Sequence, residues 1–182
     1  AGPDGRVWLG AKDGRVFRLD GGRFVEHAPP PTADWGPILW KILHGLAQKA
    51  GQGIMLADEI REWQKFFRLT GEMIPCDVCK AHYQQYLKEH PTMVLTGYST
   101  TQINTWVKSW YWNLHNNVNI SKGVAVFPFS DLDTAYASVN FTDQLYRLTP
   151  VIKNAIQMSG VPFLKWTAWV SSFKMLRSIL AV

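Results

Sequence analysis

From Asp34 onward the apolar residues of this chain recur at helical spacing, and that change of period limits what the chain can fold into. Trp35, Ile38, Leu39, Ile42, Leu43 and Leu46 fall at i, i+3, i+4 and i+7 positions and share one face, with Asp34 placed to cap the helix start. A second segment spans about Leu56 to Leu69, with Ile60, Trp63, Phe66 and Phe67 apolar. A third takes Pro75 as a first-turn residue, aligns Cys79, Tyr83, Tyr86 and Leu87, and stops at His90-Pro91. The fourth runs from about Thr101 to Asn119 through Ile103, Trp106, Trp110, Leu114 and Val118. Amphipathic helices of this length joined by modest loops predict a mainly α chain organised as a four-helix bundle.

The flanks differ from this centre. Ahead of it, DGRVWLG at Asp4 to Gly10, DGRVFRL at Asp13 to Leu19 and GGRFVEH at Gly21 to His27 each pair a turn signal with residues rich in valine and aromatics. They predict a short β-hairpin or meander. The units look like pieces of a propeller blade, too few to close a propeller, so an appended hairpin is the reading adopted, with APPPT at Ala28 to Thr32 as a stiff linker. Behind the bundle, PFSDLDTAYASVNFTDQ reads as a loop with a short helix and Asp143 to Met158 as weakly helical. After the break at Gly160 to Pro162, Trp166, Trp169, Phe173, Leu176 and Leu180 gather on one side. Lys165, Lys174 and Arg177 argue against a membrane span, so this helix is expected to dock on the bundle or on a partner rather than lie on a membrane surface. The expected division is 1–33 for the meander and linker, 34–123 for the helical domain and 124–182 for a helical extension.

Charge excludes one class of function. The formal net charge is +5, but residues 1–33 carry five cations and four anions, 34–120 eight and seven, and 121–182 six and three. No basic tract is dense enough for a nucleic-acid surface. Apolar residues at 47% and charged residues at 18% fit a globular chain. The start AGPDGRVWLG lacks the apolar run of a signal peptide, and no apolar stretch is long enough to span a bilayer. Residue 1 is not methionine, which leaves a processed or trimmed start open.

Both cysteines of the chain lie in IPCDVCKAHYQQYL, Ile74 to Leu87. A thiol at a helix N-terminus is acidified by the helix dipole and by free N–H groups, and two sulfurs in one first turn can form a disulfide that is readily reduced and remade. A loop this small gives little entropic stabilisation, which favours exchange over stapling. Zinc held by Cys76, Cys79, His82 and His90 is the rival reading, although one straight helix would not wrap the ion. A thioredoxin-type site needs a strand leading into the pair, and these flanks are helical.

Two further pairs accompany the cysteines: Trp40 and His44 one helical turn apart in WGPILWKILHGLA, and His115 and Asn119 likewise in WYWNLHNNVNISKG. Taken together, WGPxxWxxLH at Trp35 to His44, PCxxCxxHY at Pro75 to Tyr83 and HNxVN at His115 to Asn119 resemble the Erv/ALR family of flavin-linked sulfhydryl oxidases. The WGP opening looks most like members from large DNA viruses. The resemblance covers about residues 34 to 123. It implies a helical bundle that holds FAD noncovalently beside the disulfide, with Cys79 next to the flavin and Cys76 open to attack by a substrate thiolate. Trp40, His44, His82, Tyr86, His115, Asn116 and Asn119 match positions that line the FAD in that family, Val118 packs nearby, and Lys122 is placed toward the phosphates, although the family's glycine-lysine ending is shifted here to Lys122-Gly123.

The implied activity is oxidation of a thiol-containing protein substrate, with electrons passing to FAD and then to molecular oxygen to give hydrogen peroxide, in a homodimer with no metal. Aromatic rings and imidazoles suit a flat cofactor, and asparagine amides suit its polar edge. Each of these residues alone reads as core, Trp40 and Trp110 as packing and His44 as a satisfied core histidine. Their joint order carries the resemblance. The sequons at Asn119 and Asn140 are discounted, because no secretory signal is visible and Asn119 lies in the third motif. Two departures stand out: there is no second, shuttle CxxC, and the bracing cysteine that relatives carry three residues before the HN pair is replaced by Trp112. Electrons are therefore expected to reach Cys76 directly from the partner, and packing to supply what bracing disulfides supply elsewhere. The alternatives are a degenerate oxidase scaffold serving as a binding module and a zinc-stabilised helical domain. The expected location is cytoplasm, or a virion if the chain is viral.

Overall fold

The computed structural model describes residues 7–11, 16–26 and 30–182. Short runs rich in valine, leucine and aromatics form β1 (Trp8–Gly10), β2 (Val16–Asp20) and β3 (Arg23–Glu26), an antiparallel sheet in the order β1-β2-β3. Gly21 and Gly22 both take positive φ, +52° and +80°, as a two-residue hairpin turn requires, and this sets Asp20 opposite Arg23. The turn signals at Asp4 to Arg6 and Asp13 to Arg15, His27 and the Ala28-Pro29 start of the linker lie outside the described residues.

The rest is helical. Among the described residues the α-helices are α1 (Thr32–Lys49), α2 (Leu56–Met73), α3 (Asp77–Glu89), α4 (Thr100–Ser121), α5 (Leu132–Tyr136), α6 (Phe141–Ser159) and α7 (Phe163–Ile179), with short 3-10 turns at Thr92–Gly97 and Phe129–Asp131. Two start signals fall differently from expectation. Helix α1 begins at Thr32 after Pro31, so Asp34 sits in the first turn, where its charge faces the positive end of the dipole. Pro75 precedes α3 rather than opening it, and Cys76 takes the cap position. Helix α4 starts with a full capping box, Ser99 accepting from the Gln102 N–H while the Gln102 side chain accepts from Ser99 N. Helix α6, expected to be weak, runs from an Asn140 cap to Gly160 in the left-handed region (φ +71°).

One core of buried residues extends from Trp35 in α1 to Leu180 beyond α7. Helix α7 docks on α2, antiparallel to it. Lys165 pairs with Glu72 at 2.7 Å, the Trp169 indole donates to the Thr70 hydroxyl at 2.9 Å, and Ser172 meets Glu62. Trp166, Trp169 and Phe173 stack in sequence along its inner face, with centroids 5.4 and 5.6 Å apart. The turn into α6 packs on α1 at Gly45, where a Cβ would come within 2.9 Å of Val139 and 3.1 Å of Phe141. A larger residue there would have to displace these two side chains. No helix among the described residues is long and apolar enough to cross a membrane.

Candidate functional site

The corner between α2 and α3 sets the cysteines. Ile74 leaves α2 in an extended conformation, and Cys76 caps α3, its sulfur accepting from the Cys79 N–H at 3.2 Å. Cys76 and Cys79 are joined as a disulfide with Cα atoms 5.2 Å apart. The bond thus lies at the positive end of a helix, where a thiolate released by reduction is favoured. Among the described residues no group of three or more histidine, cysteine or acidic side chains is arranged to hold a metal.

Beside this corner lies a cavity of about 720 Å³. Its walls come from four directions: Trp35, Leu39, Trp40 and Lys41 of α1; Thr70 and Ile74 at the end of α2; Val78, Cys79, His82 and Tyr83 of α3; and Leu114, His115, Val118 and Asn119 of α4, with Lys122 just beyond. Tyr136 of α5 closes the remaining side. Cys79 belongs to the wall and Cys76 does not. The size is that of a pocket for a large organic ligand, and the lining is mainly apolar and aromatic with a few polar groups.

The structure gathers most of the predicted residues here. Trp40 and His115 stack face to face, centroids 4.2 Å apart and planes 8° from parallel. His115 Nδ1 lies 3.0 Å from His44 Nε2, and His44 in turn stacks on Tyr136 at 4.6 Å. His44 is buried behind His115 rather than on the wall, with its Nδ1 unpartnered. Burial, reinforced by the neighbouring His115, pushes its pKa down from 6.5 to about 3. Burial and then the Lys122 ammonium lower His115 to about 4. Both imidazoles are neutral at pH 7.

Two more predicted residues, besides His44, stand off the cavity wall. Tyr86 lines a smaller neighbouring groove between α3 and α4, with His82 and Val118 shared between groove and cavity. Its ring is buried against Trp110 and His90. Asn116 turns its amide away to the backbone of Phe127, accepting from Phe127 N at 2.9 Å and donating to Phe127 O at 3.1 Å.

Other wall residues were not singled out from the sequence. Lys41 follows Trp40 directly and is exposed on α1, yet it borders the cavity. Thr70 is fully buried; Tyr83, the last residue of the second motif, is nearly so, its hydroxyl donating to Phe67 O at 3.1 Å and its pKa raised by burial. Tyr136 ends a five-residue helix, the short helix expected within this loop, but the residue itself carries no sequence signal of a site.

A family model described as "Erv1 / Alr family" matches residues 37–137, more than half of the chain. The Arabidopsis thaliana protein "FAD-linked sulfhydryl oxidase ERV1" is 24% identical over 111 residues, 61% of this chain and 54% of that protein. A Frog virus 3 (isolate Goorha) protein, "Putative FAD-linked sulfhydryl oxidase 088R", is 33% identical over 61 residues, 32% of this chain and 41% of that protein. The chain thus spans about half or less of the length of these curated relatives. No solved structure gave a significant match.

Proposed function

The chain belongs to the Erv1/Alr family, and from that premise we propose that it is an FAD-dependent thiol oxidase that forms disulfides in a partner protein. The observation that carries this reading is the redox pair at the cavity edge, with Cys79 in the wall of a space sized for a large flat ligand. The residues present suit FAD. Trp40 and His115 offer stacked rings, Lys41 and Lys122 offer cations for a pyrophosphate, and Asn119 offers an amide to a polar edge. The two neutral imidazoles add hydrogen-bonding capacity without a buried charge. Bound there, FAD supplies the two-electron acceptor that reoxidises the cysteine pair and hands the electrons to molecular oxygen, giving hydrogen peroxide.

The protein's own part is thiol-disulfide exchange. A substrate thiolate attacks the Cys76 sulfur, which lies outside the cavity wall; a bond to the substrate forms, the Cys76–Cys79 bond breaks, and Cys79 leaves as a thiolate facing the cavity. The substrate's second thiolate then attacks the mixed disulfide and releases Cys76. The substrate departs as a disulfide, two electrons stay on the cysteine pair, and the substrate's two protons go to solvent. Each thiolate is eased by the α3 N-terminus, where Cys79 N already points at the Cys76 sulfur. No other cysteine within these 182 residues can relay electrons, so in this proposal the partner's thiolate meets Cys76 itself. A homodimer belongs to the same proposal and is checked by the mass in solution.

The test is a purified sample supplied with a dithiol in an oxygen electrode. The reading expects a yellow protein with a flavin spectrum, oxygen uptake that follows the dithiol, and one peroxide for each oxygen. A colourless protein that takes up no added FAD rejects it.

A further inference from the structure

We infer that a stripe of α4 side chains, Lys108, Trp112 and Asn116, clamps the strap 124–136 over the cavity, so that Trp112 and Asn116 act as positioning residues for the flavin site. The strap itself is observed directly; its consequence for flavin rests on the function proposed above.

The three anchors lie four residues apart on successive turns of one helix face, and each meets the strap. Lys108 Nζ pairs with Asp133 at 2.5 Å. The Trp112 indole N–H donates to Phe127 O at 2.7 Å, and its ring meets Phe129 edge to face at 5.4 Å. Asn116, buried, donates to the same Phe127 carbonyl and accepts from Phe127 N. One backbone carbonyl therefore receives two side-chain donors. Residues 124–128 form no helix or strand, so little else in the backbone holds them there.

The clamped segment leads to the cavity. The Phe127 ring lies 6.0 Å from Tyr136, and Tyr136 stacks on His44 and walls the cavity together with Val124. Releasing Phe127 frees Tyr136 to leave His44. The anchors are hydrogen bonds, an ion pair and ring packing. Because no sulfur takes part, a thiol reductant leaves the clamp intact. The Asn116 amide uses both its oxygen and its nitrogen on Phe127, so its influence on a bound cofactor passes through Phe127.

The test compares wild type with Trp112→Ala, Trp112→Phe and Asn116→Ala in two measurements: amide hydrogen exchange of the flavin-free proteins, and the FAD dissociation constant by fluorescence. Loss of a buried hydrogen bond predicts exchange in 124–136 about tenfold faster in Trp112→Ala and Asn116→Ala, with α1–α4 unchanged, and FAD binding about tenfold weaker. Trp112→Phe keeps the ring against Phe129 and loses only the N–H, so it falls between. Wild-type exchange in the strap of Trp112→Phe and Asn116→Ala overturns the clamp, and this comparison stands even if Trp112→Ala fails to fold. A loosened strap with unchanged FAD affinity overturns the positioning role. Failure of the wild type itself to bind FAD sinks the oxidase reading, and the exchange data still decide the clamp.

Discussion

The indole of Trp40 lies flat on the imidazole of His115, centroids 4.2 Å apart, and this stack ties α1 to α4 across the cavity. It presents the His115 Nδ1 to His44 Nε2 at 3.0 Å. One proton serves that contact, since a second would force two donors together in a buried place. Burial, more than this contact, disfavours a charge on either ring.

Acid should destabilise the fold through these histidines. Their folded pKa values, about 3 for His44 and about 4 for His115, lie below the ordinary 6.5. Between those values and 6.5 the unfolded chain binds more protons, so stability rises with pH through that window and is fully present above it. Replacing His44 by Gln should flatten the acid slope by up to about 1.4 kcal/mol per pH unit. Urea titrations at pH 5 and pH 7 read this difference; an unchanged slope argues against a neutral, buried His44.

Glu59 should be the most sensitive carboxylate in the fold. It is fully buried and accepts from Gly51 N at 2.6 Å, Gly53 N at 2.8 Å and the Trp63 indole at 3.0 Å. Glu59→Ala leaves those donors without their acceptor and should lower stability by about 3 kcal/mol or more. Glu59→Gln retains an acceptor oxygen and should lose less. Denaturant midpoints at constant slope report both values, and equal losses in the two variants would contradict the assignment.

The docking of α7 can be tested at Thr70. Thr70→Val keeps the shape and removes the acceptor of the buried Trp169 indole, with an expected loss of about 1–2 kcal/mol. Trp169→Ala removes the centre of the aromatic stack and should lose about 3–5 kcal/mol. A single cooperative melt in both variants is expected, because α7 shares the core with α1 and α2. An α7 that unfolds separately would show two transitions.

Much of this architecture could be read before any coordinates, for a physical reason. A helix that buries one face must repeat its apolar residues every three to four positions, so Trp35 to Leu46 and Ile103 to Leu114 announce themselves. The cysteine pair was legible because a helical pattern begins beside it. What remained hidden depends on the partner surface. Glu62 and Thr70 look like the polar side of α2 until α7 covers them. Asn116 reads as a cofactor ligand by position, and only the path of residues 124–128 shows its amide engaged with Phe127. Tyr136 lies in a helix too short for any periodic signal.

The central claim is that electrons enter through Cys76 and reach the cavity through Cys79. Absorbance of the FAD-loaded protein under argon, followed on adding a dithiol, tests it most directly. Wild type should bleach and regain its yellow colour in air, whereas Cys79→Ser should bind FAD and stay yellow. Bleaching of Cys79→Ser at the wild-type rate would contradict the account.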